Sequence, residues 1–178
     1  FAIYLFNLID KFIHQRKIIN FLKRNIISIK TFVDIGAHKG KYTDLIIDNY
    51  VVNKVFMFEP QKNIFKFIKK KYQKNKKIKI FDYAVSNLNG EKKLYINKHD
   101  LTSSLTKLNP KNQYLSIKSK LFGTNLAGMI EKKNIIQTIK LEKLIKNQSI
   151  EQIDLIKIDT EGHEFEVLQG FEKKLKIV

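Results

Sequence analysis

The chain has 178 residues, a net charge of +17, 43% hydrophobic residues and 29% charged residues. This composition excludes a disordered chain of low hydrophobicity, and the length predicts one domain at about 150 residues per domain. Cysteine is absent, which excludes disulfides, zinc–thiolate sites and thiol catalysis. A cysteine-free chain fits a reducing compartment, and we expect a cytoplasmic protein.

The first 28 residues carry apolar side chains at helical spacing, for example Leu5 and Phe12. This spacing predicts one or two amphipathic helices. We expect them to pack on the flank of a sheet, and membrane association is the less favoured alternative. The longest apolar stretch, Phe1–Ile9, is interrupted by Asn7 and is too short to span a bilayer.

From residue 31 onward, apolar strands alternate with helices. Strands are predicted at Thr31–Ile35, Lys54–Phe58, Ile78–Phe81, Lys92–Ile96, Ile135–Ile139 and Ile153–Ile158. Helices are predicted at Lys41–Asn49, Ile64–Tyr72, Leu141–Ile145 and Glu164–Phe171. Such alternation is typical of βαβ units with a parallel sheet. The last strand is nearly all apolar, so we expect it to be central and covered on both faces.

These elements predict one α/β domain at residues 31–178 after a helical segment at residues 1–30. The chain starts at Phe1 instead of a methionine, and it ends in Leu175–Val178, an apolar run typical of a strand cut short. We therefore expect a piece of a longer protein from which the C-terminal strands are missing.

The excess of lysine allows two interpretations. Only Arg16 and Arg24 are arginines among the 34 basic residues. A strongly basic chain indicates nucleic-acid binding. Nucleic-acid sites prefer arginine, however, and the lysines are scattered apart from Lys69–Lys71 and Lys74–Lys77. We favour compositional drift with a solvated surface, and nucleic-acid binding stays the alternative.

The first candidate site is the sequence VDIGAHKG at residues 33–40, where a strand runs into a glycine turn and then a helix. Gly36 allows a tight turn and a close approach to a ligand, and Gly40 allows the helix to pack near the sheet. The glycine spacing excludes the dinucleotide fingerprint, and no P-loop motif follows. Asp34 repels a pyrophosphate but attracts an ammonium group.

The next two strands also end in acidic residues. Glu59 follows Asp34 by 25 residues, a position at which a carboxylate commonly accepts hydrogen bonds from ribose hydroxyls. The alternative is a surface glutamate that caps the next helix. Asp82 and Ala84 follow the third strand, where an adenine lies in a doubly wound sheet, and the alternative is an aspartate that caps a loop.

The fourth candidate site follows the strand Ile153–Ile158. Asp159, Glu161, His163 and Glu164 place four ionisable groups within six residues of an apolar strand. Because ligands bind at the carboxyl ends of parallel strands, we favour function over packing here. A metal held by the first three of these residues is a minor alternative, since no second histidine-rich segment supports it.

In this order, the four segments resemble the FkbM-type methyltransferases, which depend on S-adenosylmethionine. The matching stretches are Phe32–Gly40, Val55–Pro60, Asp82–Gly90, Leu101–Leu105, Ile139–Leu144 and Ile153–Gly170. The last of them, IDLIKIDTEGHEFEVLQG, is the most specific, and the resemblance covers about residues 31–178. The sequence departs from the family at Glu142, where an aspartate is usual, and at its end, which precedes the last strands of the fold.

The resemblance implies a Rossmann-like three-layer sandwich with the cofactor over the ends of the first strands. The residues that it implies for the methionine part of S-adenosylmethionine are Asp34, Gly36, Ala37 and Gly40. It further implies Glu59 for the ribose and Asp82 with Ala84 for the adenine. Asp159, Glu161 and His163 would face the transferred methyl group and the acceptor, with His163 or Asp159 as the base.

The predicted reaction is therefore O-methylation of a hydroxyl on a sugar, a glycan or a small natural product. Ser103 and Ser104 either contact this acceptor or belong to a polar loop. A nucleic-acid methyltransferase is the main alternative, although a base-flipping motif of the Asn-Pro-Pro-Tyr type is absent. A nucleotide-sugar or dinucleotide enzyme and a non-catalytic binding module are weaker alternatives.

Overall fold

The structure is a computed structural model that describes residues 14–97, 105 and 130–171. The helices are α1 (Gln15–Asn25), α2 (Lys41–Ile47), α3 (Lys62–Lys71), α4 (Leu141–Asn147) and α5 (Glu164–Gln169). The strands are β1 (Thr31–Ile35), β2 (Lys54–Phe58), β3 (Ile78–Phe81), β4 (Ala84–Val85), β5 (Gly90–Asn97), β6 (Ile130–Ile139) and β7 (Leu155–Ile158).

The main sheet is parallel, with the strand order β3-β2-β1-β7. In its register, Asp34 of β1 lies between Met57 of β2 and Lys157 of β7. The segments that follow β1, β2 and β7 therefore meet at one edge of the sheet, as parallel strands require. The predicted α/β class with a parallel sheet is confirmed.

Helices cover both faces of this sheet. One core cluster joins α1 and α3 to the sheet through Ile19 and Ile68, and Phe32 of β1 points into it. The next residue of β1, Val33, packs into a second cluster on the opposite face, together with Val167 of α5. Successive side chains of a strand point to opposite faces, so each strand supplies both cores. This is the predicted three-layer arrangement.

A smaller sheet with the order β4-β6-β5 follows the third strand of the main sheet. β5 and β6 pair antiparallel from Gly90, opposite Thr138, and both extend beyond the predicted strands. The prediction stopped short because lysines and asparagines interrupt the apolar pattern, whereas the backbone ladder continues past them. β4 pairs parallel with β6, and Ala84 lies opposite Thr138.

The strand β7 has both faces covered, as predicted. Its side chains reach both core clusters, Leu155 on one face and Ile156 with Ile158 on the other, as expected. Within the described part of the chain, β7 pairs with β1 on one side. The run Leu175–Val178 lies outside that part, so the central position of β7 stays a prediction. An apolar run reports burial of the faces and carries no information about the number of neighbouring strands.

The described part of the N-terminal segment forms α1, which packs on the sheet flank as predicted. Ile19 and Leu22 are buried in the same cluster as Ile46 of α2. Residues 1–13 lie outside the described part of the chain. Within residues 14–97, 105 and 130–171, each helix is too short or too polar to cross a membrane.

Candidate functional site

A cavity of about 1020 Å³ opens at the edge of the main sheet where β1, β2 and β7 end. Its walls include the loops after these strands, together with parts of α1, α2 and β4. Small-molecule sites span about 300–1,000 Å³, so this cavity has room for a nucleoside-sized cofactor and a second molecule.

The glycine turn after β1 forms one wall of the cavity. Gly36 has φ 72°, and a Cβ atom there would lie 2.0 Å from the carbonyl oxygen of Asp159. The backbone N–H groups of Gly36 and Ala37 both donate to the carbonyl oxygen of Phe58, at 3.1 and 3.0 Å. The glycine is therefore required because the turn packs closely against the segment after β7. This contact brings together the first and the fourth candidate sites of the sequence.

Gly40 ends this turn and precedes α2. Its φ is 76°, and a Cβ atom would lie 2.4 Å from the hydroxyl oxygen of Tyr72. The Tyr72 hydroxyl contacts both the carbonyl oxygen of Gly40 and Asp44 of α2, at 2.9 and 2.7 Å. Gly40 thus allows the chain to pack against the end of α3, and it is not among the residues that line the cavity.

Glu59 lines the cavity at the end of β2 and is only 3% exposed, so the alternative of a surface glutamate is wrong. Its two carboxylate oxygens accept hydrogen bonds from the backbone N–H groups of His38 and Gln61, both at 2.9 Å. Burial raises the pKa of Glu59 to about 7, against the opposing effect of these hydrogen bonds. Each oxygen keeps further acceptor capacity for a ligand.

Asp34 lies behind the glycine turn and is completely buried, outside the residues that line the cavity. Thr43 donates its hydroxyl to Oδ2 at 2.8 Å, and Nζ of Lys157 lies 3.3 Å from Oδ1. Burial raises the pKa of Asp34, and the charge of Lys157 opposes this shift. The structure therefore brings Asp34 to a lysine of the protein, where the sequence suggested direct contact with a ligand.

Lys157 was missed by the sequence analysis, and it does line the cavity. Its Nζ donates to the carbonyl oxygen of Gly36 at 2.7 Å and lies 3.5 Å from a carboxylate oxygen of Asp159. The same atom lies 5.2 Å from the ring centroid of Tyr42. The available signal was a single lysine within an otherwise apolar strand, which requires a buried partner.

Asp159 and Glu161 both line the cavity and are exposed to it. Their loop is held by Glu164, whose carboxylate accepts the backbone N–H groups of Thr160 at 2.8 Å and Gly162 at 3.1 Å. Burial acts to raise the pKa of Glu164, but hydrogen bonds from its own N–H and from these two residues lower it below its ordinary value. Glu164 is thus a structural carboxylate of this loop.

His163 is buried and lies apart from the residues that line the cavity. Its Nε2 is 3.0 Å from the hydroxyl oxygen of Ser86, and its Nδ1 is 3.3 Å from a carboxylate oxygen of Glu166. Burial lowers the pKa of His163, against the opposing charge of Glu166, and so favours the neutral imidazole. The structure therefore does not bring His163 to the cavity with Asp159 and Glu161. Instead, the His163 side chain links the start of α5 to the residue that follows β4.

The remaining predicted residues separate in a similar way. Ala84 and its neighbour Tyr83 line the cavity, whereas Asp82 is exposed elsewhere. Ser103 and Ser104 lie outside the described residues. In the described ranges, no cluster of three or more histidine, aspartate or glutamate side chains has metal-binding geometry. Gln61, also missed by the sequence analysis, lines the cavity with its Oε1 buried and unpaired in the described structure.

A family model described as the methyltransferase FkbM domain matches residues 34–178. The chain belongs to the FkbM methyltransferase family. This confirms the family that the sequence motifs indicated. The FkbM model begins at Asp34 and includes the glycine turn, Glu59 and the segment after β7.

A crystal structure of methyltransferase FkbM from Methylobacillus flagellatus KT is similar to this FkbM chain at 16% sequence identity and a TM-score of 0.49. The similarity covers 80% of this chain and 28% of the other, so the present chain spans a minor part of that protein's length. Among curated proteins, none matches this FkbM chain.

Proposed function

We propose that this FkbM chain is a methyltransferase domain that takes S-adenosylmethionine as its cofactor and transfers the methyl group to a hydroxyl. The observation that carries the proposal is the buried carboxylate of Glu59, which opens into the same cavity as the glycine turn and Asp159. Carboxylates at this strand end accept ribose hydroxyls in related α/β folds. Family membership supports the same conclusion.

The side chains around the cavity suit an adenosine cofactor. Glu59 would hold the ribose, because each of its oxygens can accept one more hydrogen bond. The unpaired buried Oε1 of Gln61 supplies a further acceptor for a hydroxyl or an amine. Apolar and aromatic atoms of Phe58, Tyr83 and Ala84 line the same cavity and would cover an adenine ring.

When bound, S-adenosylmethionine supplies a methyl group on a positively charged sulfur that is already a strong leaving group. The protein's main task is then to align the acceptor and exclude water, which is worth many orders of magnitude in rate. Asp159 and Glu161 stand at the mouth of the cavity with exposed carboxylates and would orient the acceptor. We assign the base to Asp159, because both nitrogens of His163 are engaged away from the cavity.

Calorimetric titration with S-adenosylhomocysteine, the demethylated product, tests the cofactor. The protein should bind this ligand, and NAD far more weakly. Glu59→Ala removes a charged acceptor worth ~1.5–3 kcal/mol, so affinity should fall about 10–100-fold. Glu91→Ala, at an exposed position of β5, is the matched control and should bind like the wild type.

Two outcomes would count against the proposal. Unchanged affinity in Glu59→Ala would contradict the ribose assignment, and no binding by the wild type would contradict the cofactor itself. Incubation with methyl-labelled cofactor and panels of sugars, glycans and small hydroxylated molecules then tests the acceptor class. Label transfer to nucleic acid alone would overturn the hydroxyl acceptor that we propose.

A further inference from the structure

We propose that Lys157 is a positioning residue that fixes the glycine turn and Asp159 relative to each other at the floor of the cavity. This inference rests on the proposed cofactor site. Lys157 lies on β7 directly opposite Asp34 of β1 in the parallel register. The pairing of β1 with β7 therefore places the Lys157 ammonium group near the ends of these two strands.

The contacts of this ammonium group join three parts of the site. One N–H donates to the carbonyl oxygen of Gly36 at 2.7 Å, within the glycine turn. The carboxylates of Asp34 and Asp159 lie 3.3 and 3.5 Å away. The side chains of Lys157 and Asp34 are 16% and 0% exposed, so water screens this pair weakly, whereas Asp159 is 56% exposed and its pair is screened more strongly.

The hydrogen bond to Gly36 has a specific consequence for the turn. A carbonyl oxygen that is held by a buried cation fixes the orientation of its peptide plane. The following backbone N–H groups, those of Ala37 and His38, then keep their bonds to Phe58 and Glu59. Lys157 thereby preorganises the wall on which the cofactor would lie, without itself having to contact the cofactor.

A purely structural ion pair makes a different prediction from a positioning role. If Lys157 served only to neutralise the buried Asp34, removing both charges together would restore the protein fully, because a buried pair can often be replaced by neutral groups without loss of stability. If Lys157 positions the turn, the double replacement restores stability but leaves the Gly36 carbonyl unheld. The two roles therefore separate in the double variant.

The experiment compares wild type, Lys157→Met, the double variant Asp34→Asn with Lys157→Met, and Lys79→Met. Lys79 lies on β3 of the same sheet and contacts Gln148 at the surface, so it is the matched control. Three quantities are measured: the melting temperature, amide hydrogen exchange at residues 36–40, and affinity for S-adenosylhomocysteine. Exchange is measured without ligand, so it reports on the turn whether or not the cofactor binds.

In Lys157→Met, we expect amides of residues 36–40 to exchange about 10–100-fold faster and affinity to fall by a similar factor, as for loss of one charge-assisted hydrogen bond. The double variant should regain the melting temperature but keep both defects, and Lys79→Met should show neither. Full recovery of exchange and affinity in the double variant, or unchanged exchange in Lys157→Met, would overturn the inference. If Lys157→Met exchanges faster but the wild type does not bind S-adenosylhomocysteine, the positioning role of Lys157 is supported and the proposed function is overturned.

Discussion

Glu59 should make ligand binding depend on pH near neutrality. Burial raises its pKa to about 7, so about half of the ligand-free molecules carry a protonated Glu59 at pH 7. Ribose hydroxyls are hydrogen-bond donors, and an ionised carboxylate accepts from two of them, whereas a protonated carboxyl group has lost acceptor capacity. The ionised form is therefore the one that binds.

The size of the effect follows from the ionised fraction. When one form of the protein binds, the apparent affinity is reduced in proportion to the fraction of that form. For a group with a pKa of about 7, the ionised fraction is about 9% at pH 6 and about 91% at pH 8. Affinity for S-adenosylhomocysteine should accordingly rise about 10-fold between pH 6 and pH 8.

Stability should change in the opposite direction. Folded Glu59 binds its proton more tightly than in the unfolded chain, where its pKa is near the ordinary value of 4.5. The free energy of unfolding that Glu59 contributes is thus present below pH 4.5 and is lost as the pH rises to about 7. Glu59 thus predicts that affinity rises while the free energy of unfolding falls over the same pH range.

Calorimetric titrations and urea unfolding across pH 5 to 8 measure both trends. Glu59→Gln, which cannot titrate at this position, should flatten both curves, and comparison with it separates the contribution of Glu59 from that of every other group. Equal pH slopes in wild type and Glu59→Gln would refute the reasoning, as would affinity that falls with rising pH.

Three other predictions follow from the geometry. Gly36→Ala should cost about 1–3 kcal/mol of stability in urea unfolding, because its Cβ meets the Asp159 carbonyl, whereas Gly162→Ala, with positive φ but open space, should cost less; equal losses would assign the effect to φ alone. His163→Ala should lower the melting temperature with near-normal turnover, and Asp159→Asn should lower turnover about 10²–10⁴-fold; the reverse pattern would return the base role to the histidine. Random RNA should bind weakly in filter assays and dissociate near physiological salt, because the exposed lysines are spread over α1, α3 and β5. Tight, salt-resistant binding would favour a nucleic-acid partner.

Much of the fold and the position of the site was predictable from strand and helix periodicity. Each parallel strand ends where its apolar run stops, and polar residues follow at the same sheet edge. This rule placed Glu59 and Asp159 correctly at one cavity, although they are 100 positions apart in the sequence. Glycines also indicate turns in the sequence, and Gly36 and Gly40 indeed adopt positive φ at the turn after β1.

Side-chain direction and cross-strand partners were not predictable in the same way. His163 and Asp159 occupy one short polar segment, but only the three-dimensional path of the loop turns the imidazole toward Ser86 and away from the cavity. Asp34 and Lys157 are far apart in the sequence and become neighbours through the strand register. Periodicity contains no information about which strands pair, so the lone lysine in an apolar strand indicated a buried partner without identifying it as Asp34.

The charges at the strand ends explain why one lysine has so many contacts and what kind of ligand the cavity favours. The ammonium of Lys157 lies between Asp34 and Asp159, whereas Glu59 has neutral backbone donors. Burial raises the pKa values of Asp34 and Glu59, the charge of Lys157 opposes both shifts, and ionised Asp34 adds to the shift of Glu59. Full ionisation of Asp34, Glu59 and Asp159 would set three negative charges against the one positive charge of Lys157 at these strand ends. At these strand ends a positively charged group relieves this repulsion and the pyrophosphate of a dinucleotide increases it, although Arg16, Lys39 and Lys41 also line the cavity. S-adenosylmethionine and NAD both contain an adenosine, so this difference in charge distinguishes them where the ribose contacts do not.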